Sequence, residues 1–157
     1  MGLYGAEMTT TQTQTALPTS SKVLCAVYGV IALIALIATW SQNAAYFDNP
    51  TGFLLNFFND SKVTPASRSL TADIVLFFLA AAFLMVIEAR KHSVRFVWLY
   101  IAGGLAIAIS VTFPLFLIAR ELRVGRTATT RLGAVDTVAL AVLSVAAVAM
   151  TIWIDVG

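Results

Sequence analysis

The sequence has few charged residues, one cysteine and one histidine, and each shortage excludes a class of protein. Charged side chains make up 11% of the 157 residues, whereas soluble domains carry about 25%. Cys25 is the only cysteine, so an internal disulfide and dithiol chemistry are excluded. His92 is the only histidine, so a zinc site or a bis-histidine haem within one chain lacks ligands. We therefore expect no metal, no cofactor and no enzymatic activity.

Long uncharged apolar runs take up most of the chain. No charge occurs between Ile74 and Ile87 or between Phe96 and Ala119, and a short basic turn joins these two runs. A membrane span needs about 20 mainly apolar residues, and charge inside hydrocarbon is costly. The sequence predicts an all-α fold, a polytopic bundle of four transmembrane helices that forms a single domain over residues 22–157. The predicted spans are residues 23–41, 71–89, 96–119 and 134–154.

Residues 1–21 differ in composition from the rest of the chain. They are rich in Thr, Gln, Ser and Gly and hold Glu7 as their only charge. Such a segment cannot bury enough apolar surface to offset the entropy of ordering it. We expect a disordered polar tail, and either Met1 or Met8 can be the start of translation.

The longest connection lies between the first two spans and contains four apolar residues at helical spacing. Phe53, Leu54, Phe57 and Phe58 fall at i, i+1, i+4 and i+5. This spacing predicts a short amphipathic helix in the membrane interface. A lid over a binding cavity is the alternative.

Charged residues stand at the ends of the predicted spans, where they can form ion pairs. Asp73 and Glu88 bound the second span about 22 Å apart on a straight helix, which is too far for a catalytic carboxylate pair. We expect Asp73 to pair with Arg120 across a helical hairpin. For Glu88 we expect a partner on its own side, namely Arg90, Lys91 or Arg95. Work in a proton relay is the alternative.

Small residues recur at helical spacing in the third and fourth spans. Such spacing lets neighbouring backbones approach closely and is typical of helix contacts in membranes. The predicted contact faces are Gly104, Ala108 and Thr112 in the third span, and Gly133, Thr137, Ala141 and Ser144 in the fourth. These faces predict a protein partner or a homo-oligomer.

Pro114 lies inside the third span, where it cannot donate a hydrogen bond to the carbonyl of Ser110. We expect a kink at these two residues, relieved by the hydroxyl of Ser110. The alternative is a ligand or ion held by the freed carbonyl.

Four spans would place both termini on one side of the membrane. The counts of basic residues conflict with a cytoplasmic N-terminus, because four fall on that side and six on the other. The first span usually dominates orientation, and Lys22 precedes it. We therefore predict that both termini are cytoplasmic, with dual topology as the alternative.

Several apolar segments together resemble a known family. The quoted segments are YGVIALIALIATWSQNAAYF, the loop with DNP and FLLNFF, DIVLFFLAAAFLMVIEAR, WLYI and PLFLIARE. Over residues 28–121 they resemble an uncharacterised bacterial membrane family, domain of unknown function 2834. The resemblance implies a bacterial plasma membrane protein and no activity. Typical members have three spans, whereas this chain adds a polar tail and a fourth span.

Two functions agree with these features. The first is a non-catalytic subunit or assembly partner of a larger membrane complex. The second is a small dimeric carrier of an apolar or lipidic molecule, since the middle of each span lacks the acidic residue that proton-coupled transport of a polar cargo would need. Membrane lipids are expected partners, whereas a net charge of +2 from residues beside the spans does not indicate nucleic-acid binding.

Overall fold

A computed structural model describes residues 17–48, 51–124 and 133–156, and these residues are helical with short connections. The α-helices are α1 (Thr19–Asn43), α2 (Phe53–Asp60), α3 (Pro65–His92), α4 (Val97–Gly103), α5 (Ile109–Val124) and α6 (Ala134–Val156). A 3-10 turn, Ala44–Tyr46, extends α1, and a π-helical segment, Gly104–Ala108, joins α4 to α5. Four helical stretches are long and apolar enough to cross a membrane, and a short helix lies between the first two, which confirms the predicted fold class.

Two helices begin earlier than predicted. α1 begins at Thr19, so its first turn lies in the expected tail, while residues 1–16 of that tail lie outside the described part of the chain. α3 begins at Pro65 rather than near residue 71. Thr64 and Ser67 cap it reciprocally, each side chain bonding the backbone N–H of the other at 3.0 Å. This capping box, with proline in the first turn, starts the helix two turns before its apolar run.

The stretch from Val97 to Val124 folds back on itself and is not a straight rod. A straight helix would separate Tyr100 from Phe116 by about 24 Å along its axis. Their ring centroids are 5.8 Å apart in an edge-to-face contact. Likewise, a Cβ built on Gly103 would lie 3.0 Å from Cγ2 of Thr112, nine residues ahead. The chain therefore reverses at the π-helical segment, and α5 returns alongside α4.

The reversal sets the directions of the helices in the bundle. α5 packs along α1, and Glu121 near its end lies within electrostatic range of Tyr28 in the first half of α1, so the two helices are antiparallel. α6 runs parallel to α1, because Gln42 Nε2 donates to Asp155 Oδ1 at 3.3 Å near the last residues of both. The beginning of α1 and the end of α6 lie at opposite ends of the bundle. The expectation that both termini share one side assumed a straight third span, and the described residues do not support it.

The core forms where α3 meets the α4–α5 pair. Met85 and Phe116 are fully buried there. Around them lie the other members of this core: Ala81, Ala89, Val94, Val97, Ile101 and Ile109. By contrast, α6 has no buried residue among Ala134–Val156. The described chain therefore consists of a core made by α3, α4 and α5 with α1 packed against it, and a peripheral α6.

Candidate functional site

A cluster of charged side chains lies where α3 ends beside the last turns of α5. Arg120 Nε donates to Glu88 Oε2 at 2.5 Å, and the two side chains are 30% and 15% exposed. Lys91 Nζ lies 3.8 Å from the other carboxylate oxygen of Glu88. His92 Nε2 lies 3.3 Å from Glu88 Oε2 but without hydrogen-bond geometry. The carboxylate of Glu88 thus lies at the centre of a half-buried cluster, surrounded by three side chains that can carry positive charge.

The partner of Arg120 differs from the one expected. The fold-back carries the end of α5 to the end of α3, so Arg120 meets Glu88 instead of Asp73. Asp73 is exposed on α3, and its carboxylate forms no ion pair with another described residue. Of the three partners expected for Glu88 on its own side, Lys91 is the one that pairs with it, whereas Arg90 and Arg95 are exposed and form no ion pair with Glu88. His92 is the last residue of α3, and its side chain is only 20% exposed beside Glu88.

The small residues of the third span pack within the chain. A Cβ built on Gly104 would lie 2.8 Å from Cε2 of Phe78 on α3 and 3.2 Å from Oγ1 of Thr112 on α5. Thr112 is buried, and its hydroxyl donates to the carbonyl of Ala108 at 3.4 Å. Gly104 therefore meets Thr112 across the fold-back and not along one face of a straight helix. This row therefore makes a contact inside the chain through Gly104 and Thr112.

The change of direction lies upstream of the predicted kink. Pro114 sits inside α5, which continues from Ile109 to Val124 as one α-helix. The reversal falls instead within the π-helical segment, Gly104–Ala108, directly after Gly103 ends α4. Glycine pairs and π-helical segments are recognised causes of sharp bends, as is proline. Ser110 makes no side-chain hydrogen bond in the described structure that would relieve a kink.

An open apolar groove of about 510 Å³ lies between α1 and α6, and Ser110 of α5 forms part of its wall. The other hydroxyls along it are satisfied by their own helices, since Ser144 donates to the Leu140 carbonyl at 2.7 Å and Thr151 to the Ala147 carbonyl at 2.9 Å. Thr39 on α1 bonds the carbonyl of Ala35 in the same way at 2.7 Å. The groove therefore offers shape and apolar surface, with few free polar groups.

The predicted contact face of α6 lies only partly on this groove. Ser144, Ala147 and Thr151 line it, whereas Ala141 lines a separate shallow hollow on α6. Thr137 donates to the carbonyl of Gly133 at 3.0 Å in the first turn. The small-residue face of α6 thus stands beside α1 without closing on it.

An aromatic cluster covers the far end of α1. Tyr46 contacts Phe53 and Phe57 of α2 edge-to-face at 5.9 and 6.0 Å, and its hydroxyl donates to Asp60 Oδ2 at 2.9 Å. Phe47 lies 6.0 Å from Trp40, measured between ring centroids. The short helix predicted from its apolar spacing is therefore folded onto the end of α1. Within the described ranges, no three His, Cys, Asp or Glu side chains converge as metal ligands would.

A family model, described as protein of unknown function DUF2834, matches residues 27–122. The match covers more than half of the chain. The chain belongs to this family. No curated protein and no solved structure matches it. The matched region includes the core and the fold-back of the DUF2834 protein but ends before α6.

Proposed function

We propose that this DUF2834 protein is a non-catalytic subunit of a larger membrane complex and that α6 is its assembly helix. The observation that carries the proposal is the poor packing of α6 within its own chain. None of its residues is buried, although a helix with small residues on one face can be approached closely by another helix.

The groove beside α6 gives this proposal a definite surface. Ser144, Ala147 and Thr151 form one wall, and Ile34, Ala35 and Ala38 of α1 are part of the other. Small side chains on both walls leave room for the row of side chains that a foreign helix presents. In a bilayer, such packing is a main source of helix association, because lipid removes the hydrophobic driving force.

The experiment compares two neighbouring alanines on α6. Ala147→Leu fills the groove, whereas Ala146→Leu adds the same atoms on the face that is turned away from it. Tagged full-length protein is isolated from native membranes in mild detergent, and co-purifying proteins are identified by mass spectrometry. We expect a stoichiometric membrane partner with the wild-type protein and with Ala146→Leu, and its loss with Ala147→Leu. Equal recovery with both variants would contradict the assignment of this face.

A carrier of an apolar or lipidic molecule is the second candidate, and the volume of the groove favours it. About 510 Å³ falls within the usual range for ligand pockets, roughly 300–1,000 Å³. The same purification separates the two functions when lipids are also analysed. One result would support the carrier and contradict the subunit: a specific lipid co-purifies with the wild-type protein but not with Ala147→Leu, and no protein partner is recovered.

A further inference from the structure

The fold-back changes which end of the bundle each charged residue occupies. α1 begins at one end, α3 returns to it, and α5 also ends there, as the Glu88–Arg120 pair requires. We name this end, where Glu88 and Arg120 lie, the basic end. The opposite end holds Asp155 of α6 and Gln42 of α1.

We propose that the chain crosses the bilayer three times, through α1, α3 and α6, that α4 and α5 form a re-entrant helical pair, and that the basic end faces the anionic headgroups of the cytoplasmic leaflet. This inference goes beyond the proposed function and does not depend on it.

The lengths of the helices are consistent with a re-entrant pair. α4 and the π-helical segment together comprise 12 residues, 7 and 5, and reach at most about 18 Å, whereas the hydrocarbon core is about 30 Å thick. A re-entrant turn must keep its backbone polar groups paired, because lipid offers no hydrogen bonds. The π-helical segment keeps i→i+5 backbone bonds at the reversal.

The charge distribution supports the orientation. Six of the eight basic residues in the described ranges fall at the basic end, and two fall at the other. The six are Lys22, Arg90, Lys91, Arg95, Arg120 and Arg123, and the two are Lys62 and Arg68. A straight third span would move Arg120 and Arg123 to the opposite end and leave four on each side. Cytoplasmic segments of membrane proteins carry an excess of Lys and Arg. With the fold-back, the numbers of basic residues at the two ends differ enough to indicate that the basic end is cytoplasmic.

The turn between α3 and α4 has the surface expected of a headgroup contact. Arg90 and Arg95 are exposed there, and the side chains of Phe96 and Trp98 are 73% and 64% exposed. Aromatic rings favour the membrane interface, and basic side chains are attracted to the anionic lipids of the cytoplasmic leaflet. The neighbouring acidic group, Glu88, is already paired with Arg120 and does not cancel this charge.

Cysteine accessibility tests the proposal directly, because Cys25→Ala alone removes every native thiol. In that background, two single variants, Ser93→Cys and Leu122→Cys, report on the basic end. Two others, Val63→Cys and Val156→Cys, report on the opposite end. Intact cells and permeabilised cells are treated with a membrane-impermeant maleimide. Variants are compared only where their stability in detergent equals that of the Cys25→Ala protein. If Leu122→Cys is labelled in neither intact nor permeabilised cells, Arg123→Cys replaces it.

We expect Val63→Cys and Val156→Cys to react in intact cells, and Ser93→Cys and Leu122→Cys only after permeabilisation. Two results would overturn the re-entrant topology: labelling of Leu122→Cys together with Val63→Cys, or labelling of Val156→Cys together with Ser93→Cys. Reversal of all four patterns would overturn the cytoplasmic assignment of the basic end.

Discussion

The part of the chain that matches the family and the helix that follows it are built differently. Residues 27–122 contain almost every buried side chain of the described structure, with Met85 and Phe116 at the centre. α6 is the same kind of apolar helix by composition, yet none of its described residues is buried. Hydropathy therefore identifies both as membrane helices but does not distinguish a helix that builds the core from one attached to its edge.

The two rows of small residues show the same difference. Gly104, Ala108 and Thr112 look in the sequence like a face for a partner helix, as do Ser144 and its neighbours on α6. The first row is used inside the chain, where Gly104 lies against Phe78 and Thr112. The second row lies beside an open groove. Small residues thus indicate close approach, whereas only the structure shows what approaches.

Truncation of Phe116 is the strongest test of this contrast. Phe116 is fully buried and contacts Tyr100 edge-to-face. We expect Phe116→Ala to lower the free energy of unfolding in detergent by about 3 kcal/mol, because it leaves a cavity in the core. Trp153→Ala on α6 is the matched control, since Trp153 is 75% exposed, and should change stability little. Equal losses would contradict the division into core and periphery.

Gly104→Leu sharpens the comparison at the fold-back. Even its Cβ would lie 2.8 Å from the ring of Phe78, so we expect a loss of about 2 kcal/mol from overpacking. Gly29→Leu on α1 is the control, because a Cβ built there has no atom within 4 Å apart from its chain neighbours and the nearby backbone of its own helix. Thermal unfolding in the same detergent measures both. If Gly104→Leu weakened binding to a partner and left stability unchanged, the row would be an external contact after all.

The Glu88–Arg120 pair is expected to give a smaller effect. We predict that Glu88→Gln and Arg120→Gln are non-additive, with a coupling of about 1 kcal/mol, since the pair is half-buried and charge-assisted. A second cycle that combines Asp73→Asn with Arg120→Gln should be additive. Coupling in the second cycle and none in the first would place the end of α5 beside the start of α3 and contradict the fold-back.

The sequence was sufficient to predict the helical class and the four long apolar stretches. Length and apolar composition determine these features locally, and they hold whichever helices become neighbours. The short helix at Phe53–Asp60 was also predictable, because its apolar residues follow a helical period.

Lys91 was among the predicted partners of Glu88, but the partner of Arg120 was not predictable, because it depends on the path of the third stretch. A helix that runs straight and one that reverses within Gly104–Ala108 have the same hydropathy. The two glycines are evident in the sequence, but proline interrupts a helix more strongly than glycine does. The kink was therefore predicted at Pro114, downstream of the reversal. Arg120 was consequently assigned to Asp73, and both termini were assigned to one side.

A designed disulfide across the fold-back tests the central claim most directly. A Cβ built on Gly103 lies 4.0 Å from Cβ of Thr112, within the range of about 3.5–4.5 Å that a disulfide requires. A straight helix would separate these residues by about 13 Å. In the Cys25→Ala background, the pair Gly103→Cys and Thr112→Cys is oxidised in native membranes, and free thiols are counted after denaturation without reductant. The pair Ala80→Cys and Ala89→Cys, at the same spacing within the continuous helix α3, is the control.

We predict that the Gly103→Cys and Thr112→Cys pair loses both free thiols on oxidation, while the control pair on α3 retains both. Retention of both thiols across the fold-back, in a protein of wild-type stability, would contradict the account.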